Sequence, residues 1–85
     1  MAKIEIYSKD PCPYCKNAKA LLASLGAEYE EINLTEQPDR VQEMLDRAGG
    51  RTTVPEIFIN DKLIGGFDDL MAVHRKGELK VMLAE

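Results

Sequence analysis

The hydrophobic pattern changes period along the chain. Residues 3–7, KIEIY, alternate polar and apolar with β-branched side chains, which predicts a strand. After them Ala18, Leu21, Leu22 and Leu25 fall at i, i+3, i+4 and i+7, one face of a helix expected from Pro13 to Leu25, with Gly26 as its stop. EYEEINL alternates again and predicts a second strand over 28–33. Val41, Met44, Leu45 and Ala48 repeat the helical spacing, Pro38 suits a first turn, and Gly49-Gly50 end the run. PEIFI and KLIGG flank Asn60-Asp61 and predict a hairpin. A short helix is expected from Asp68 or Asp69 through LMAVHRK, interrupted at Gly77. ELKVMLAE then forms a last helical piece with Leu79, Met82 and Leu83 inward.

The order β-α-β-α-β-β-α predicts an α/β domain. The first two strands, joined through a helix, should be parallel with a right-handed crossover; the last two must be antiparallel. The expected result is a mixed four-stranded sheet with helices on both faces. No repeat, linker or low-complexity segment divides residues 1–85, so one domain is expected.

Composition narrows the function classes. The chain has 85 residues, 45% hydrophobic and 31% charged, a globular balance. Its net charge of −4 and lack of a basic stripe speak against a nucleic-acid partner. No apolar run approaches the roughly 20 residues of a membrane span, and MAKIEIYSKD lacks the apolar core of a signal peptide. A cytoplasmic protein, with no membrane partner, is the expectation.

Both cysteines lie in KDPCPYC, two residues apart. Two cysteines are too few for a disulfide scaffold, so the spacing reads as a redox dithiol, half of a zinc or iron–sulfur site, or a structural pair. A closed zinc site needs four ligands, and the single histidine, His74, is far off in sequence. His74 itself sits beside Arg75 and Lys76 late in a helix and reads as surface charge, not catalysis.

Placement favours the redox reading. Pro13 fits the first helical turn, which puts Cys12 at or near the N-cap, where free amides and the helix dipole favour thiolate. Cys15 lies one turn further in, shielded. Lys9 adds positive charge, and in such settings a cysteine pKa falls to roughly 3.5–7.5. Lowering a thiol from about 8.5 to about 5 raises its thiolate fraction at pH 7 about 30-fold, while intrinsic nucleophilicity drops roughly 25- to 60-fold. Attack gains nothing. Departure does gain, because a low-pKa thiol leaves faster. The pattern suits an enzyme that takes a mixed disulfide onto Cys12 and must release it.

Two more stretches bear on a ligand. In Thr53-Val54-Pro55 the residue before proline is biased to extended geometry, and its backbone suits pairing with an extended peptide. In Gly65-Gly66-Phe67-Asp68-Asp69 the glycines permit close approach, and Asp68 or Asp69 suits a helix cap whose amides meet a carboxylate. Each also reads blandly: Lys9 as a solvated strand-end lysine, Tyr14 as a surface aromatic, the aspartates as a capped turn.

Taken together, Lys9, Cys12-Pro13-Tyr14-Cys15, Thr53-Val54-Pro55 and Gly65-Gly66-x-Asp68-Asp69 resemble the dithiol glutaredoxin family, nearest to its small bacterial members of the third type. The similarity spans essentially the whole chain. The resemblance implies a thioredoxin-like fold with sheet order 2-1-3-4, a cis Pro55, and glutathione as co-substrate with no tightly bound cofactor or metal. It implies that Val54 pairs through its backbone with the glutathione cysteine. Lys9, Tyr14, Arg51 and Thr53 would lie toward the glycine end, and Gly66, Phe67, Asp68 and Asp69 at the γ-glutamyl end. Gln37 matches another groove position. The position of Phe67 varies in the family, and its side chain is given no role. Implied partners are glutathionylated and disulfide-containing proteins, ribonucleotide reductase among them, acted on by a monomer. Cys12 would be the nucleophile and Cys15 the resolving thiol. Two other readings remain: a redoxin served by thioredoxin reductase, which would lack a glutathione groove, and an iron–sulfur binding module, which the stiff Pro13 turn suits less.

Overall fold

A computed structural model of the protein describes residues 2–84. Its elements are β1 (Ile4–Ser8), α1 (Pro13–Ser24), β2 (Glu30–Asn33), a 3-10 turn (Pro38–Arg40), α2 (Val41–Arg47), β3 (Glu56–Ile59), β4 (Lys62–Gly65), α3 (Phe67–Arg75) and α4 (Glu78–Leu83). The sheet runs β2-β1-β3-β4, with β1 parallel to β2 and antiparallel to β3, and β3 antiparallel to β4. This is the mixed sheet and strand order expected. Asn60 and Asp61 both take positive φ at the hairpin turn. The last residue of the expected terminal helix, Glu85, lies outside the described residues.

Two cores sandwich the sheet. Ile4, Ile6, Ile57 and Ile59 point to one face, where α1 supplies Ala18 and Leu22, α3 supplies Leu70 and α4 supplies Leu79. Met82 and Leu83 pack at the edge of that core. Tyr7, Ile32 and Phe58 point to the other face, beneath Met44 of α2 and Ala48 just beyond it. The alternation in KIEIY therefore does not mark an in-and-out strand. All five residues of β1 are buried because α2 covers the second face.

That second face carries charge. Glu5 is only 8% exposed. Arg47 of α2 reaches down to it with two hydrogen bonds, Nη1 to Oε2 at 3.1 Å and Nη2 to Oε1 at 2.9 Å. The same guanidinium donates to the Tyr7 hydroxyl at 3.0 Å and lies 4.1 Å over the Phe58 ring. Tyr7 donates in turn to Glu43, which also holds Arg40 at 2.8 Å. Burial and Glu43 push the Tyr7 hydroxyl above its ordinary pKa. The network satisfies a buried carboxylate with a planar fork, which a lysine could not do.

Boundaries differ from expectation where hydrogen bonds override pattern. The helix expected from Pro38 begins as a single 3-10 turn and becomes α-helical at Val41. Strand β2 starts at Glu30, not 28, because pairing with β1 begins at Glu5↔Glu30. Helix α3 starts at Phe67, before the expected Asp68 or Asp69. Gly66 is the N-cap, and Asp69, at the third helical position, accepts the Gly66 amide at 3.0 Å. The aspartate closes the helix start from inside it, the reciprocal half of a capping box.

Two outcomes follow. Arg47→Ala should lower unfolding free energy by about 2–4 kcal/mol, since it leaves Glu5 buried without its partner. In a denaturant-unfolding cycle with Glu5→Gln, the double variant should cost about 1 kcal/mol less than the sum. Gly65 has φ +119°, and a Cβ there would collide with the Asp69 carboxylate. Gly65→Ala should cost about 1–3 kcal/mol and shift the Gly66 amide resonance as Asp69 is displaced.

Candidate active site

The cysteine turn begins where β1 ends. The segment between Ser8 and Pro13 is pinned from β2 and the turn after it. Asn33 donates through Nδ2 to Asp10 at 2.7 Å, and the Asp10 amide donates to Thr35 Oγ1 at 2.9 Å. Asn33 Oδ1 accepts the Thr35 amide at 2.9 Å. Buried Ser8 donates to Glu31 at 2.6 Å, and Lys19 of α1 donates to the same oxygen at 2.8 Å. Lys19 and Ser8 hold the Glu31 carboxyl below the usual range, and Lys19 in turn is pushed up. The strand, the turn and the first helix are thus tied together on either side of the cysteines.

Cys12 is the N-cap of α1, with extended backbone, and Pro13 is its first residue. The Cys12 sulfur accepts the Cys15 amide at 3.1 Å. A sulfur so placed meets the open end of the helix, where amides lack partners and negative charge is favoured. Cys12 and Cys15 are joined as a disulfide with Cα atoms 5.2 Å apart. The pair is asymmetric: Cys15 is 1% exposed, while Cys12 is half-buried.

A groove of about 260 Å³ opens beside this turn. One wall is Arg51, Thr53, Val54 and Pro55; the other is Gly66, Phe67, Asp68 and Asp69 at the start of α3; Tyr14 joins them from between the cysteines. Both Val54–Pro55 and Asp10–Pro11 are cis. Tyr14 is 61% exposed, and its ring lies 6.3 Å from that of Phe67. Arg51 spans the walls, its Nε 3.4 Å from Glu56 and its Nη2 3.8 Å from Asp69.

The structure brings Tyr14, Arg51, Thr53, Val54, Pro55, Gly66, Asp68 and Asp69 into this one groove beside Cys12 and Cys15. Lys9 and Gln37 are exposed and do not line it. His74 lies in the last turn of α3, also outside it. Sequence reasoning missed Glu56, fully buried behind the Arg51 wall. Its one signal was a carboxylate inside the apolar run PEIFI. It also missed the Asp10–Asn33–Thr35 clasp, whose partners are too far apart in sequence to suggest one another. Among the described residues, no three His, Cys, Asp or Glu side chains gather as a metal-ligand set, and no helix is long and apolar enough to cross a membrane.

The chain matches the family model for glutaredoxin over residues 4–64. It is 48% identical to glutaredoxin 3 of Escherichia coli K12 over 83 residues, covering 98% of this chain and 99% of that protein. The structure of the buckwheat glutaredoxin–glutathione complex superimposes with a TM-score of 0.87 at 40% identity, covering 98% of this chain and 77% of that one. The solution structure of the glutaredoxin from Brucella melitensis gives 0.82 at 46% identity, over 98% and 89% of the two chains. With the thioredoxin-like sheet order, the disulfide-linked pair at a helix start and these matches in view, the chain belongs to the glutaredoxin family of glutathione-dependent thiol–disulfide oxidoreductases.

Proposed function

We propose that this protein reduces protein–glutathione mixed disulfides and protein disulfides, with Cys12 as nucleophile and Cys15 as resolving thiol. The observation that carries this reading is the asymmetry of the pair. The half-buried Cys12 sulfur stands at the helix start with the Cys15 amide on it, and the Cys15 side chain is shut away behind it.

In the reduced enzyme the Cys12 thiolate attacks the glutathione sulfur of a mixed disulfide. The S–S bond breaks, the target thiolate leaves, and glutathione stays on Cys12. A second glutathione thiolate attacks that sulfur, giving glutathione disulfide and returning the Cys12 thiolate. The second departure is the step that the amide and the helix end assist, because they stabilise the leaving sulfur. With a protein disulfide, Cys12 forms the mixed disulfide and Cys15 displaces the target, leaving the Cys12–Cys15 disulfide for two glutathiones to reduce.

Glutathione occupies the groove. Its extended backbone pairs with Val54, as an added strand would. One carboxylate lies toward Arg51 and Thr53. The γ-glutamyl end meets the amides at the start of α3 and the carboxylates of Asp68 and Asp69. The buckwheat glutaredoxin–glutathione complex, with its TM-score of 0.87, supports this placement. Lys9, exposed and outside the groove lining, supplies positive charge at the entry to the cysteine turn. We read the enzyme as a monomer of the cytoplasm, where thiols are kept reduced, with glutathionylated proteins and disulfide enzymes such as ribonucleotide reductase as targets.

Turnover should be measured with glutathione, glutathione reductase and a small glutathionylated disulfide. Cys12→Ser should lower it by at least about 10³-fold. Cys15→Ser should retain deglutathionylation and lose reduction of protein disulfides. Equal loss of both activities in Cys15→Ser would overturn the division of labour. Reduction by thioredoxin reductase in place of glutathione would overturn the choice of reductant.

A further inference from the structure

Glu56 is the first residue of β3, immediately after Pro55, and is 0% exposed. Its Oε2 faces the groove wall, 3.4 Å from Arg51 Nε and accepting the Thr53 hydroxyl at 3.3 Å. Its Oε1 has no hydrogen-bond partner among the described residues. Among the described residues, the charged groups that act on it are Arg51 from the loop before β3 and Asp69 from α3. Its β1 partner, Tyr7, turns its hydroxyl away to Glu43 and Arg47. Burial, and more weakly Asp69, push the Glu56 carboxyl above the usual range, while Arg51 and Thr53 draw it down.

We propose that Glu56 is a positioning residue that competes with substrate for Arg51. Ionised, it holds part of the guanidinium and repels an incoming carboxylate; protonated, it releases Arg51 to the carboxylate of glutathione, so that binding takes up a proton. This rests on the groove being the glutathione site. A guanidinium stays charged in proteins, and of the two carboxyls beside this one Glu56 is the buried one. An ionised Glu56 has one half-engaged oxygen and one orphan, and little besides Arg51 keeps it charged. When a ligand carboxylate takes Arg51, the anion beneath loses its compensation and the neutral acid is favoured. Linkage makes the effect reciprocal: ligand raises proton affinity at Glu56, and protonation raises ligand affinity.

The probe is S-methylglutathione, which keeps both carboxylates and cannot exchange thiols. It is titrated into the oxidised protein, where the disulfide removes the cysteines from titration. Between about pH 5 and about pH 8, the wild-type Kd should rise about five-fold. Glu56→Gln should bind at the wild-type low-pH affinity across that range. Calorimetry in two buffers of different ionisation enthalpy should show proton uptake in the wild type and none in Glu56→Gln. A probe amidated at its glycine carboxylate should show no pH slope. A flat wild-type Kd, a slope retained in Glu56→Gln, or weaker binding by that variant at low pH overturns the inference. Should the variant not fold, wild-type proton uptake and the amidated probe decide alone. No binding of the probe at any pH would instead overturn the groove assignment itself.

Discussion

The hydrogen bond from the Cys15 amide to the Cys12 sulfur requires a chain that leaves the sheet and enters a helix within four residues. Much of the molecule serves that transition. Strand β1 is buried on both faces and so cannot shift its register without moving side chains from one core to the other. Its last residue, Ser8, is bonded through Glu31 to Lys19, in the second turn of α1. The clasp of Asn33 on Asp10 fixes the segment between them. Without these ties the loop would let the helix end drift from the sulfur. Here strand, loop and helix are each anchored on β2 or the turn after it.

The face opposite α1 shows two solutions to burying a carboxylate. Glu5 receives a bidentate guanidinium, and that guanidinium is itself placed by the Phe58 ring and the Tyr7 hydroxyl. Both Glu5 oxygens are paired by one guanidinium, which makes the arrangement structural. Glu56 receives one guanidinium nitrogen at 3.4 Å from an arginine that is nearly half exposed, and keeps an orphan oxygen. An incompletely paired buried charge is costly, and its cost depends on what else the arginine can reach. The first carboxylate is therefore a fixed part of the fold. The second is coupled to the groove.

Period and punctuation made most of the fold legible. Pro13 and Gly26 bracket α1, Gly49-Gly50 follow α2, and Asn60-Asp61 turn the hairpin, each because backbone φ or a missing N–H restricts what can stand there. The cysteine pair could be placed at a helix start for the same local reason. What remained hidden depended on neighbours distant in sequence. The pairing of Glu5 with Arg47 was one such feature, because nothing in KIEIY says which side chain of α2 will reach it. The start of α3 was misplaced by one or two residues because Asp69 caps from inside the helix, and sequence alone does not separate that from an N-cap. The groove as a whole was visible only by resemblance, since Arg51 and Asp69 approach each other through tertiary packing.

The groove divides its labour between backbone and side chains. Val54 and the amides at the start of α3 are set by elements that cannot move without disrupting β3 or the capping contact of Asp69 on Gly66. They suit a ligand's invariant peptide geometry. Arg51, nearly half exposed, is long enough to trade partners, and it stands 3.8 Å from Asp69, too far for a firm ion pair and too exposed for a strong one. A ligand that carries both an ammonium and carboxylates can replace that weak contact with one opposite charge on each side. On the proposed binding mode, selectivity follows from charge arrangement: a neutral peptide that paired with Val54 would leave Arg51 with Glu56 and Asp69, and gain nothing from either wall.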